Sequence, residues 1–554
     1  MTGEESAPHA VDVLVVGSGP IGATFARVIA EEAPWARILM VEVGPQLTER
    51  PGMHIKNIPN PEECKQAQIR SQGPARYQYQ IPTIAARSAA GRSGSHAQRA
   101  GFLARPGTFL ATAEGEEETG MPAAAMSSCV GGMGAHWTCA CPQPGNTERI
   151  PFIPDDEWDR ISGRAVVLLA VTQEAYPETA EGFAIKQTLG VAFNSVLHEK
   201  RPVQNMPLAV QVREDGRRYW TGPDVVLGPL AEGKHDAFEL RSQTICRKVL
   251  VENGRVTGAL IEHLPTSTQD AVSAKVVVVA ADTLRTPQVL WGSGIRPRAL
   301  GHYLNDQPQI MGGVELDDAI VEQALETLRS LGRTYETERD VTESFVGVFW
   351  VPFHAPEFPF HSQVMHIDAS PIPMDLSETR ADPRHVVGLG CFTTKDIRYE
   401  DYIEFSDTEI DFYGMPMMTI HYELTAKDHD TFTRAREWQA RAAAAFGKSI
   451  KDEESRLLPA GSSLHYQGTV RMGEQDDGTS VCDPYSQVWG VANLYVGGNG
   501  VIPTATASNP TFTSVALAVR AAERIAANLA RHSGQSSALS GQVGQRSHPW
   551  SEEQ

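Results

Sequence analysis

The residues predict an α/β protein, α+β overall. A discontinuous Rossmann-type dinucleotide-binding domain carries an inserted domain built on a mainly antiparallel sheet. Three observations predict it. Residues 11–44 run as an apolar strand, a glycine turn, a helix and a second apolar strand that ends in an acid. The run Lys275–Ala281 is apolar after its first residue, as expected of a parallel strand covered on both faces. Near the other end, residues 493–527 read as a strand, a Gly/Pro loop and an amphipathic helix, so one domain is assembled from both ends of the chain.

In the first unit each glycine of Gly17-Ser18-Gly19-Pro20-Ile21-Gly22 has a separate task. Gly17 permits the tight turn off the strand, Gly19 has no Cβ to keep a pyrophosphate from the backbone, and Gly22 lets the helix pack close. Pro20 opens the helix, whose N-terminus favours phosphate. Glu42 lies twenty residues beyond Gly22, the spacing of a carboxylate that bonds ribose hydroxyls. An acid there, with no nearby arginine for a 2′-phosphate, argues against NADP and leaves NAD and FAD open.

The chain has 554 residues, 41% hydrophobic, which supports two or more domains. Its formal net charge of −20 disfavours nucleic acid and anionic membranes and favours neutral or cationic small molecules. No run of eighteen apolar residues exists, and the polar N-terminus has no signal-peptide core, so a cytoplasmic location is expected. Seven cysteines form no disulfide framework or zinc spacing; buried thiols and no metal site are expected.

The middle of the chain follows in order. Residues 126–141 are too glycine-rich for a regular element. Residues 239–281 alternate as short strands, with Asn253-Gly254 as a hairpin turn. A helix is expected after Thr286-Pro287. Residues 310–460 carry aromatic and alternating patterns, read as an antiparallel substrate-facing sheet with flanking helices. The nucleotide-binding domain is thus assigned 10–70, 125–145, 236–310 and 466–532, and the substrate domain 71–124, 146–235 and 311–465. Residues 1–9 and 533–554 are expected to be flexible tails.

Several segments together resemble the glucose–methanol–choline (GMC) family of FAD-dependent oxidoreductases, and within it the pyranose oxidase and C-glycoside 3-oxidase branch. Besides the first unit they are Ala280–Ile295, Leu304–Pro308, Gly131–Ala140, Phe405–Pro416, Leu464–Gly473 and Gly498–Thr511. Asp282 departs from the pattern, standing where glycine is usual. The resemblance implies FAD, held by Gly17, Gly19, Pro20, Gly22, Glu42, Gly132, His136, Trp137, Thr138, Gly498, Asn499 and Thr511. It implies that His136 can carry a covalent bond to the flavin and that Thr138 sits beside N5. It makes His465 and Asn509 the catalytic pair, with His465 as the base and Asn509 orienting the same hydroxyl. Gln363 and Asp368 resemble sugar-contacting residues, and Gly390 stands where fungal sugar oxidases have an arginine, which implies a wider, less polar pocket.

The implied reaction oxidises a secondary hydroxyl of a pyranose or glycoside, at C2 or C3, to a ketone. Electrons then pass to O2, giving H2O2, or to a quinone. An NAD-linked alcohol dehydrogenase, supported only by the first unit, and a non-catalytic flavoprotein are the competing readings. Monomer and homo-oligomer both stay open.

Overall fold

A computed structural model of the chain describes residues 10–72, 107–110, 120–333, 347–366, 386–411, 413–449 and 455–532. The expected tails at 1–9 and 533–554, much of 71–124, and Asp368 lie outside the described residues.

The protein is mixed α/β, with two seven-stranded sheets among the described residues. The first begins with strand β1 (Ala10–Val16), helix α1 (Pro20–Glu32) and strand β2 (Ile38–Val41). β1 pairs in parallel with β2 on one side and with the strand Thr268–Val279 on the other. Phe238–Arg241 adds in parallel beside β2, and Leu494–Val496 pairs in parallel with Val277–Val279. The four residues Val276–Val279 are buried, as their β-branched run demands, while Lys275 reaches out to Asp12. An antiparallel hairpin of Thr244–Glu252 and Arg255–His263 completes the edge. Its turn has positive φ at both Asn253 and Gly254, the geometry that an Asn-Gly pair favours. The C-terminal helix, Thr511–His532, packs on α1. Asp155–Leu169 and Pro223–Leu227 pack there too, joining this core through Trp158, Ile161, Val226 and Leu227 although they lie within 146–235.

The second sheet is antiparallel throughout, in the order Gly447–Ser449, Gln309–Leu316, Val386–Thr393, Phe360–His366, Val348–Val351, Gln204–Asn205, with Arg456–Leu457 also on Gln309–Leu316. Strand periodicity splits its faces. Ile310, Val364 and Leu389 turn to a core shared with helices Ala180–Phe193 and Ala426–Phe446. Gln309, Gln363, Met365, Gly390 and Phe392 turn to a cavity.

Two local expectations need correction. Residues 126–141 do contain regular structure: Ala125–Ser128 pairs with Gly107–Leu110, and Gly132–Ala135 forms a 3-10 turn. The helix expected after Pro287 begins earlier, spanning Asp282–Gly292. Asp282 caps it by accepting the N–H groups of Leu284 (2.6 Å) and Arg285 (3.0 Å). Pro287 has no N–H for the Thr283 carbonyl; the Thr469 hydroxyl donates to that carbonyl at 2.5 Å instead.

Candidate active site

The parallel strands all point their C-terminal ends at one cavity of about 760 Å³, the usual place for a ligand in an open α/β sheet. It starts at the glycine turn. Gly17 has φ +100°, and a Cβ on it would overlap the Ala280 carbonyl oxygen. Gly19 caps α1 in extended conformation, and a Cβ on it would meet nothing nearer than the Gly131 oxygen at 3.9 Å. Gly498, at φ +110°, would place a Cβ with no protein atom within 4 Å. Gly132 brings a third stretch of bare backbone beside Gly19. The cavity wall is thus backbone that side chains would fill, next to a helix N-terminus: a cradle for a phosphate-bearing group.

Glu42 lies on the same wall. Its carboxylate accepts the Ser18 N–H (3.1 Å), the Ser18 hydroxyl (2.7 Å) and the Gly44 N–H (3.0 Å). A carboxylate has about four acceptor sites, so one remains for a ribose hydroxyl. Burial pushes its pKa up to about 6, against the lowering effect of those donors. Asp282 keeps the left-handed backbone that a glycine would adopt, with φ +69°, and its helix cap offsets the strain. It is exposed onto the cavity, and the protein packed round that wall raises its carboxyl to about 6 as well.

The loop of residues 129–138 forms the adjoining wall. His136, Trp137 and Thr138 all line the cavity. The His136 Nε2 lies 2.7 Å from the Ser127 hydroxyl, and burial lowers its pKa to about 4. Trp137 is locked by its indole N–H on the Thr221 carbonyl (2.8 Å). Asn499 and Thr511 line the cavity from the C-terminal segment, with the Asn499 amide oxygen accepting the Ser514 hydroxyl (2.6 Å). Pro20 lines it at the first turn of α1, and Gly22 stands behind, pressed on the Gly17 carbonyl.

At the other end the antiparallel sheet meets the C-terminal segments. His465 Nε2 and Asn509 Nδ2 are 3.3 Å apart, although 44 residues separate them. The Asn509 oxygen takes the Gln363 amide at 2.5 Å. Trp350 donates to His361 Nδ1 at 2.7 Å, so the neutral ring carries its hydrogen on Nε2, and the Gln363 amide nitrogen 3.0 Å from Nε2 is a close neighbour of that ring and not a donor to it. The Phe392 ring stands 5.2 Å from His465. Burial lowers the His465 pKa to about 3, so the ring is neutral near pH 7. A neutral imidazole beside a carboxamide can take a proton from an alcohol and hold the oxygen that loses it.

Residues not singled out from the sequence hold this pair. Gln307 reaches the His465 Nδ1 at 2.8 Å. Glu148, fully buried, accepts the N–H groups of Ala507 and Ser508 (both 2.8 Å) and the Ser508 hydroxyl (2.9 Å), fixing the strand of loop before Asn509. No local pattern marks Glu148, which acts 360 residues away along the chain. Tyr413 of the Phe405–Pro416 stretch lines the nucleotide end, with its hydroxyl on Ser128 (2.9 Å). Among the described residues no cluster of three or more His, Cys, Asp or Glu could hold a metal ion, and no helix is long and apolar enough to cross a membrane.

Comparison with known proteins supplies the relatives. The family described as GMC oxidoreductase matches residues 188–309 and 402–518. A C-glycoside 3-oxidase of Microbacterium trichothecenolyticum is 45% identical over 522 residues, covering 94% of this chain and 97% of that protein. A pyranose 2-oxidase of Tricholoma matsutake is 33% identical over 560 residues, covering 94% of each. The crystal structure of pyridoxine 4-oxidase from Mesorbium loti shares the fold at a TM-score of 0.59 and 16% identity, covering 93% of this chain and 99% of that one.

Proposed function

The chain belongs to the GMC oxidoreductase family, FAD enzymes that act on CH–OH groups, and we propose that it oxidises a secondary hydroxyl of a pyranosyl glycoside to a ketone. One observation carries the reading: His465 and Asn509 meet at 3.3 Å in the wall of the cavity that begins at the glycine turn. Gly17, Gly19, Pro20, Gly132 and Gly498 would hold the pyrophosphate, Glu42 the ribose, and His136, Trp137, Thr138, Asn499 and Thr511 the remaining cofactor wall; Gly22 sets the helix behind them. Bound FAD supplies the hydride acceptor.

The protein's own residues do the rest. His465 Nε2 takes the hydroxyl proton, and Asn509 orients the oxygen and stabilises the charge that develops on it. Thr138, on the cavity wall, would stand beside the flavin N5, and Gln363 steadies Asn509. Phe392, Met365 and the side-chain-free Gly390 leave an apolar wall suited to an aglycone. The higher identity to a C-glycoside 3-oxidase than to a pyranose 2-oxidase favours C3 over C2. We assign electron transfer onward to O2 or a quinone, and a cytoplasmic location in keeping with the buried thiols of Cys139, Cys141 and Cys482. The division into a nucleotide-binding and an inserted substrate domain is part of the same proposal, with the two seven-stranded sheets as their centres.

Anaerobic mixing with glucose and with an aryl C-glycoside tests it. Faster bleaching of the flavin by the glycoside, with a 3-keto product, supports the reading; a strong preference for free glucose with a 2-keto product contradicts it.

A further inference from the structure

A base with two ring nitrogens works only in one of its two neutral forms, and the surroundings of Gln307 decide which. Gln307 is fully buried, and its amide nitrogen lies 2.8 Å from the Ser508 carbonyl and 2.8 Å from the Thr506 hydroxyl. The carbonyl can only accept. The Thr506 hydroxyl already donates its hydrogen to the Gln467 amide oxygen (3.0 Å), and the Gln467 amide nitrogen is committed to the His465 carbonyl (3.2 Å). Both contacts therefore require the NH2 of Gln307, whose two hydrogens are spent. The atom left facing His465 Nδ1 at 2.8 Å is an oxygen, which can only accept.

We infer that Gln307 is the positioning residue that fixes His465 with its hydrogen on Nδ1, leaving Nε2 as the acceptor nitrogen, turned toward the Asn509 amide nitrogen and the cavity. This rests on the proposed role of His465 as base. The same amide holds the Ser508 carbonyl, the peptide group directly before Asn509. One side chain thus sets the tautomer of the base and the place of its partner. The titratable groups packed around His465 are His361, held neutral by burial, Asp306, which accepts the Ser463 hydroxyl and the Gly461 N–H, and Glu148 on the Ser508 loop.

The rate of flavin reduction by a glycoside, measured in the holoenzyme by rapid pH jump from about pH 2.5 to 9 so that the acid midpoint of His465 falls inside the range, tests the inference. Gln307→Leu removes the acceptor and is expected to slow reduction at least about tenfold, with little change in KM. Gln307→Glu places a charged acceptor on the Nδ1–H, favours the imidazolium, and is expected to raise the acid midpoint of the profile by about one unit or more. A purely structural role would lower stability without moving that midpoint. Native rates in Gln307→Leu and an unmoved midpoint in Gln307→Glu, with His465→Ala inactive, would overturn the inference and leave the base assignment standing. A native rate in His465→Ala would overturn both.

Discussion

Gly19→Ala and Gly22→Ala, three residues apart, separate ligand binding from packing. At Gly19 the backbone is extended, with φ −62° and ψ 179°, so alanine is unstrained. Its methyl would meet no protein atom within 3.9 Å and would point into the cavity. Folding should be unharmed, or favoured by a few tenths of a kcal/mol through the stiffer unfolded chain. FAD binding should weaken at least about tenfold, ~1.4 kcal/mol, because the methyl occupies the approach of the pyrophosphate. At Gly22 the methyl would overlap the Gly17 carbonyl oxygen and stand 3.0 Å from its carbon. Helix α1 must then move off the turn, at about 1–3 kcal/mol, only partly offset by alanine's better helix propensity of about 1 kcal/mol. The assay is denaturant unfolding of the FAD-free proteins together with fluorescence titration of FAD. A Gly19→Ala protein that binds FAD as tightly as the native one would remove the glycine turn from the cofactor site.

Other outcomes follow from the same contacts. Glu148→Gln replaces an acceptor of four donors with an amide whose NH2 must face N–H groups; it should cost about 1–3 kcal/mol in unfolding measurements and slow flavin reduction while FAD stays bound. Burial holds the pKa of His54 at about 3, so it stays neutral in the folded protein, while the unfolded chain protonates it near 6.5. Its contribution to stability is fully present above pH 6.5 and is lost as pH falls toward 3. Stability of His54→Gln should therefore fall less steeply than that of the native protein between pH 6 and 4, by about 1.4 kcal/mol per pH unit. The Ser127 hydroxyl engages the Nε2 of His136, so acid precipitation should leave the yellow colour in the supernatant; colour in the pellet would mean a covalent bond.

The parts of the fold that follow from short-range physics were legible in the residues. The glycine turn, the apolar run to Val279 and the Asn253-Gly254 hairpin each depend on neighbours a few positions away. The start of the helix at Asp282 was missed because an aspartate cap there replaces glycine, and because the Thr469 hydroxyl, far along the chain, makes Pro287 tolerable inside it. The pairing of His465 with Asn509 was visible only through resemblance, since no periodicity links them. Gln307 lies within Leu304–Pro308, yet its task depends on Thr506 and Ser508, about 200 residues on. Glu148 gave no signal at all: a carboxylate in a polar loop looks solvated until Ala507 and Ser508 fold over it.

Stopped-flow reduction of the bound flavin by an aryl glycoside, native protein against His465→Ala, bears most directly on the chemistry. With His465 as the base, the alanine protein keeps its FAD and its yellow spectrum but bleaches at least about a hundredfold more slowly. Bleaching at the native rate would place the proton acceptor elsewhere.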